Sequence, residues 1–200
     1  SEWDETRERW YAEGLPREAD VRAFLGVPAH WTGVEIPLSL FPAFPEEIIE
    51  ETREYRIFRG GDGVVCKEWK SKSSIPHYID FGLKSASDWP KFKERLQPGS
   101  DRIPPTLDKA IAAAEKSGLP VSIGIASLMG WIRNWMGVEK MSYLMYDDPD
   151  VYADMVNTLA DLTCWSLDQV IPRMKSPPDM GFGWEDICGK SGPLVSPAIF

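Results

Sequence analysis

Hydrophobic and polar positions along this chain follow now a helical and now a strand period, and the switches between the two mark its elements. Residues 4 to 13, Asp-Glu-Thr-Arg-Glu-Arg-Trp-Tyr-Ala-Glu, read as a short charged helix stopped by Gly14, and residues 20 to 25 as a second stopped by Gly26. Val34 to Phe41 alternates imperfectly around Pro37. That fits an edge or irregular strand, because proline donates no ladder hydrogen bond. Residues 54 to 59 and 64 to 69 are strand-like runs on either side of Gly60-Gly-Asp-Gly63, and together they predict a β-hairpin. A phosphate-binding loop is the other way to use such glycines, but the Lys-Ser/Thr pair and the helix start it needs are missing.

From residue 87 onward helical spacing dominates. Ser87-Asp88-Trp89-Pro90 supplies capping residues and an early proline for a helix through Leu96. Leu107 to Lys116 sets Leu107, Ala110, Ile111 and Ala114 on one face. Leu119 to Ala126 is an apolar run of buried-strand length, and the helix-like Leu128 to Met136 follows it directly. Asp147-Asp-Pro-Asp150 opens a long helix in which Val151, Met155, Leu159 and Leu162 recur at helical spacing, ending near Pro172. Met180 to Trp184 reads as a second buried strand. Strand, helical segment and strand make a βαβ unit, so the fold class is α/β, with a parallel sheet covered by helices. No linker, fixed-period repeat or low-complexity tract divides the chain, which reads as one domain over residues 1 to 200. Ser196-Pro197 reads as the start of a further helix.

Composition changes this picture only by narrowing partners. With 43% hydrophobic residues the chain is suited to a folded core, and a net charge of -9 repels phosphate backbones and anionic lipid surfaces. The expected partner is therefore a small molecule, with no nucleic acid and no membrane. Cys66, Cys164 and Cys188 are odd in number and lack CxxC or CxxH spacing, which points to no disulfide framework, no local zinc site and a reducing, cytoplasmic setting.

Candidate chemistry lies at predicted strand ends, where α/β folds build their sites. Glu185 and Asp186 follow the strand at 180 to 184 and could position a donor, transfer protons or join a metal shell. The alternative is that Asp186 caps the next turn and Glu185 is solvated. Glu35 could project from its strand into a cavity or face water on an edge. Arg133 is placed to meet an anionic group, while Trp131 and Trp135 either wall a pocket or pack in the core. His30 and His77 have no cysteine or carboxylate at ligand spacing, so neither is assigned a metal.

The stretch Gly183-Trp-Glu-Asp-Ile-Cys-Gly-Lys-Ser-Gly-Pro-Leu-Val-Ser-Pro197, together with Asp147 to Asp150 and the helix after it, resembles the middle of uroporphyrinogen decarboxylase superfamily proteins. Trp10 to Pro16 and the hairpin at Asp62-Gly63 resemble one branch of that superfamily. The resemblance implies a TIM-type (β/α)8 barrel, here partial and carrying an inserted β-hairpin, with its site at the carboxyl ends of the strands. About 250 residues is usual for such a barrel, so 200 would be an incomplete one lacking both ends. It also implies one of two chemistries. Decarboxylases work without a cofactor, a strand-end aspartate stabilising a protonated pyrrole while arginines hold acidic side chains. The related methyltransferases move a methyl group from a corrinoid to a thiol that zinc activates.

Mapped onto this chain, the decarboxylase aspartate motif resembles Val34-Glu35-Ile36, which makes Glu35 the catalytic counterpart beside Glu185 and Asp186. The Gly-Phe-Ala-Gly strand resembles Gly124-Ile-Ala-Ser127, with Trp135 where a substrate-binding tyrosine would stand. The arginine-rich N-terminal motif is absent. The His-x-Cys that would hold zinc is absent as well, so zinc is expected only in a longer methyltransferase-like protein. The substrate implied is tetrapyrrole-related or corrinoid-linked, and the resemblance allows a homodimer. A noncatalytic barrel that binds a corrinoid or small acid, and an inactive fragment, are the alternatives.

Overall fold

Three short parallel strands organise the chain. The computed structural model describes residues 3–27, 29–71 and 75–199. In chain order its elements are helices α1 (Asp4–Ala12) and α2 (Val21–Phe24), strands β1 (Thr32–Val34), β2 (Glu47–Glu51), β3 (Tyr55–Arg59), β4 (Val65–Trp69) and β5 (His77–Asp80), and helices α3 (Trp89–Lys93) and α4 (Leu107–Lys116). Strand β6 (Val121–Gly124), helices α5 (Leu128–Met136), α6 (Val138–Asp147) and α7 (Pro149–Val170), and strands β7 (Met180–Phe182), β8 (Cys188–Gly189) and β9 (Gly192–Pro193) follow. The class is mixed α/β.

The parallel sheet has the order β1-β6-β7, with Val34 opposite Ile123 and Gly124 opposite Phe182. Its β6-α5-α6-α7-β7 portion is the βαβ unit the periodicity predicts. β1 is an edge strand, but it covers Thr32 to Val34 and not the predicted run from Val34 to Phe41, so Pro37 lies in the loop beyond it. The sheets are small and open, and no closed barrel forms among the described residues.

The predicted hairpin is β3 and β4, paired Tyr55 with Trp69 through Arg59 with Val65. Its turn closes by the Gly63 amide donating to the Gly60 carbonyl at 2.9 Å, while Asp62 Oδ1 accepts from the Val64 amide at 2.9 Å. Gly63 sits at φ +80°, where a side chain would be strained. β2 and β5 add to the two sides of the hairpin, giving a four-stranded antiparallel sheet. Neither flanking strand has a hydrophobic alternation: β2 is Glu-Ile-Ile-Glu-Glu and is exposed throughout.

Two apolar clusters meet along α7. One fills the space between α3, α5, α6 and α7, with Phe92, Trp135, Met141, Met155 and Leu159 among its buried members. The other presses Leu107, Ile111 and Ala114 of α4, with Val170 of α7, onto Val34, Val121 and Ile123. Helices therefore cover one face of the parallel sheet. By strand alternation the other face carries Trp31, Gly33 and Glu35, Ser122 and Gly124, and Met180 and Phe182.

Buried Arg102 ties the loop after β1 to the segment after α3. Its Nε donates to the Gln97 carbonyl at 2.8 Å, Nη1 to those of Pro37 at 3.2 Å and Ser39 at 2.9 Å, and Nη2 to that of Arg95. Among the described residues no carboxylate pairs with it, and burial lowers its pKa from the ordinary arginine value. Across the molecule, Asp154 of α7 accepts from Lys93 Nζ at 2.6 Å and from Trp89 Nε1 at 2.7 Å, fixing α3 against α7. Those bonds, the lysine first, hold the Asp154 carboxyl below its usual value.

Two outcomes follow for stability. Arg102→Ala leaves four carbonyls without their shared donor and should cost about 2 to 4 kcal/mol in urea unfolding, with Arg102→Lys recovering only part because an ammonium cannot fork. Asp154 favours folding above the unfolded carboxylate pKa, near about pH 4, and loses that contribution as pH falls through its lowered native value. The Lys93 pair is partly exposed, so the amount stays under about 1 kcal/mol. Asp154→Asn should flatten this part of the acid limb in a pH series of melting curves.

Candidate functional site

The carboxyl edge of the parallel sheet gathers most of the residues that the sequence singles out. β1 delivers Glu35, β6 runs through Ile125 and Ala126 into the Ser127 cap of α5, and β7 leads to Trp184, Glu185 and Asp186. Ala126 adopts φ +61°, an uncommon conformation for alanine, and turns the chain sharply from strand to helix.

Glu185 is half-buried and engaged. Its Oε1 accepts from the amides of Leu128 and, at 3.0 Å, Met129, and its Oε2 accepts from the Gly130 amide at 3.1 Å. Ser127 Oγ shares the Gly130 amide at 2.9 Å. These are the unpaired donors of the first turn of α5, where the helix dipole also favours negative charge. Trp184 packs against the same turn, since a Cβ on Gly130 would stand 2.5 Å from its ring. Asp186 completes the latch one turn along: Arg133 Nη2 reaches Asp186 Oδ2 at 3.2 Å, and Nη1 donates to the Asp186 carbonyl at 3.2 Å. The Arg133 guanidinium also lies over the Trp184 ring, 5.7 Å from its centroid. Three consecutive residues after β7 are thus fastened to one helix.

Trp135 lies elsewhere. It is buried in the core, packed on Phe92 with ring centroids 5.6 Å apart and on Trp131 at 5.8 Å, so the packing alternative describes its surroundings. A leucine-like role in the core, not the wall of an open pocket, is what its burial provides.

Glu35 is different again. It is exposed and forms no hydrogen bond or ion pair with the described residues. Its side chain leans over Gly124, whose absent Cβ would stand 3.5 Å from Glu35 Cγ and 3.7 Å from Cδ. On the same face Trp31 and Phe182 stack with centroids 5.2 Å apart. The pair was not singled out from sequence. Trp31 precedes a three-residue strand, and only the sheet register brings it to Phe182.

A cleft of about 770 Å3 opens between α7 and the helix-covered side of β7, lined in part by Ile125, Tyr152, Cys164, Leu167, Gly183 and Glu185. Burial first, and then the charge of Glu185, push the Tyr152 hydroxyl up to about 12, so it stays protonated as a donor at neutral pH. Glu35 lies on the other face of the sheet and does not line this cleft. A second cleft, of about 590 Å3, separates the antiparallel sheet from α3, away from the parallel strand ends.

Metal chemistry has no ligand set in the described residues: no three His, Cys, Asp or Glu side chains converge there. Cys66 is buried in β4, which pushes its thiol up to about 11 by desolvation, with the charges of Asp62 and Glu68 adding to it. Cys164 and Cys188 are exposed, as are His30 and His77. These described residues do not fit the zinc centre of a methyltransferase.

The latch sets an expectation for substitution. Glu185→Ala should cost about 1 to 3 kcal/mol in chemical unfolding, because three first-turn amides lose a charged acceptor. Glu185→Gln should cost less, since its carbonyl still accepts, and hydrogen exchange at Leu128 to Gly130 should quicken in the alanine variant first. Asp186→Ala, which removes only a partly exposed pair, should change stability by less than about 1 kcal/mol.

Compared with known proteins, the chain matches no protein family, no curated protein and no solved structure.

Proposed function

We propose that this chain is a partial (β/α)8 barrel of the uroporphyrinogen decarboxylase type, acting on a tetrapyrrole-related or corrinoid-linked small molecule at the carboxyl edge of its parallel strands. The observation that carries the reading is Glu35. It stands at the end of β1 on the sheet face opposite the helices, a carboxylate without a partner among the described residues and held over Gly124. In a barrel that face points inward.

Decarboxylation of an acetate side chain on a pyrrole begins with protonation of the ring. The carbon-carbon bond to the carboxylate then breaks, its electron pair flows into the protonated ring as carbon dioxide leaves, a proton is added at the side-chain carbon, and the proton first added to the ring is lost to restore the pyrrole, so that one proton is consumed for each carbon dioxide released. A fixed negative charge beside the ring stabilises the cationic state, and Glu35 supplies one. Arg133 brings a cation to the same edge of the sheet, although its present partners are Asp186 and Trp184. Under this reading Glu185 is a positioning residue, because both its oxygens are occupied by helix amides.

Noncatalytic binding of a small acid or corrinoid is the second reading. It is favoured by the engagement of Glu185 and Asp186 within the fold, which leaves one acidic side chain of the three free for chemistry.

Incubating the purified protein with uroporphyrinogen under reducing conditions, and separately with a methylated corrinoid and a thiol, separates these readings. The expected result is loss of carbon dioxide from uroporphyrinogen, slowed at least about 100-fold by Glu35→Gln. Methyl transfer in place of it selects the other chemistry of the superfamily. Absence of turnover on either substrate by folded protein would reject the enzyme reading, and turnover indifferent to Glu35→Gln would remove Glu35 from the site.

A further inference from the structure

We infer that the cleft between the antiparallel sheet and α3 is a second ligand site, built for an organic ammonium with a flat apolar body. Its volume of about 590 Å3 is that of a small-molecule site, and the hairpin whose glycines the sequence singles out forms one of its walls. Gly63 of the turn and Gly82 after β5 both line it. A Cβ at Gly82 would stand 3.0 Å from the Gly63 carbonyl oxygen and 3.1 Å from the Phe92 ring, and one at Gly63 would stand 3.3 Å from the Phe44 ring. Bare backbone at these two positions lets the sheet approach Phe44 and Phe92, whose ring centroids are 4.9 Å apart, and still leaves the cleft open beside them.

Four carboxylates line this cleft, and three of them are matched. Glu47 meets Arg59 at 2.8 Å, Asp80 meets Lys84, and Asp88 meets Lys91 at 3.8 Å. Those pairs also engage every lysine and arginine in the lining. Glu46 is the fourth, and it has no partner among the described residues. The hairpin turn sets its place: the Phe44 amide donates to the Gly61 carbonyl at 2.8 Å, and a Cβ at Gly61 would stand 3.3 Å from Glu46 Oε1. Glycine at that position leaves the carboxylate its room against the turn.

The chemistry of these groups defines what fits. Phe44, Phe81 and Phe92 offer apolar surface whose ring faces carry negative potential, and beside them stands one carboxylate charge that the fold does not compensate. An ammonium group donates hydrogen bonds to that carboxylate and cancels its charge, while a flat ring on a short stem packs on the phenyl surface. A neutral ligand leaves the carboxylate unanswered. An anion is repelled by Glu46 and reaches a cation only by breaking one of the three existing pairs. The cleft lies away from the parallel strand ends, so this inference stands or falls apart from the use made of Glu35.

Titrating isotope-labelled protein with phenethylamine, and with phenylethanol and phenylpropionate as its neutral and anionic counterparts, tests this through amide chemical shifts. The amine should move the signals of Gly61, Gly63 and Gly82 and bind about fivefold more tightly than the alcohol, with the propionate weakest, and added salt should narrow the difference. Glu46→Gln should erase the preference for the amine, and Glu46→Lys should transfer it to the propionate. Both variants should keep the wild-type circular dichroism spectrum, because Glu46 is exposed and lies outside the two apolar clusters. Equal binding of amine and alcohol by the wild-type protein overturns the site, as do shifts confined to other parts of the molecule. Absence of saturable binding of all three probes at millimolar concentration, or an undiminished amine preference in folded Glu46→Gln protein, overturns it as well.

Discussion

The placement of this edge of the molecule depends on one carboxylate. Glu185 takes the free amides at the start of α5, and with that single contact it joins the exit of β7 to the junction between β6 and the helix. The junction needs such support. Ala126 stands in the left-handed region there, a conformation that costs an ordinary residue about 1 to 2 kcal/mol, and it persists because Ser127 and Glu185 hold the helix that follows. Trp184 and Asp186 repeat the attachment on either side of Glu185, through Gly130 and Arg133.

This latch separates two kinds of acidic residue that look alike in sequence. Glu185 and Asp186 are spent on geometry, whereas Glu35 has no partner among the described residues. The distinction follows from the sheet's two faces. Valines and isoleucines from β1 and β6 point toward α4 and form a core, while the alternate positions carry glycine, serine, glutamate and aromatic rings. A face built in that way contributes little apolar burial, so its composition is free to serve recognition.

The antiparallel sheet is a separate solution to the same problem of edges. Its outer strand β2 carries Glu47, Glu50 and Glu51, three carboxylates that discourage pairing with another strand, and it is tied inward by Arg59 to Glu47 at 2.8 Å and Lys70 to Glu51 at 2.6 Å. These charges explain why β2 was not legible. A strand whose side chains are all exposed has no hydrophobic period to detect, and its existence is owed to the β3 ladder beside it. α6 was not predicted: Gly137 reads as the stop of the helix ending at Met136, and at φ +84° it redirects the chain straight into a further helix with no separate start signal.

What the residues determined alone was local. The hairpin at Gly60 to Gly63, α4 from Leu107 to Lys116, the proline-capped start of α7 and the βαβ order all follow from turn chemistry and side-chain period, which act over a few neighbours. Tertiary structure decided which side of each element meets another. Pairing Gly33 with Ser122, and Gly124 with Phe182, is what brings Trp31 to Phe182 and sets Glu35 beside them. The same packing sent Trp135 into the core and Glu185 to a helix 55 residues away, because free amides and apolar surface are satisfied by whatever the fold places within reach, and sequence spacing contains no measure of that distance.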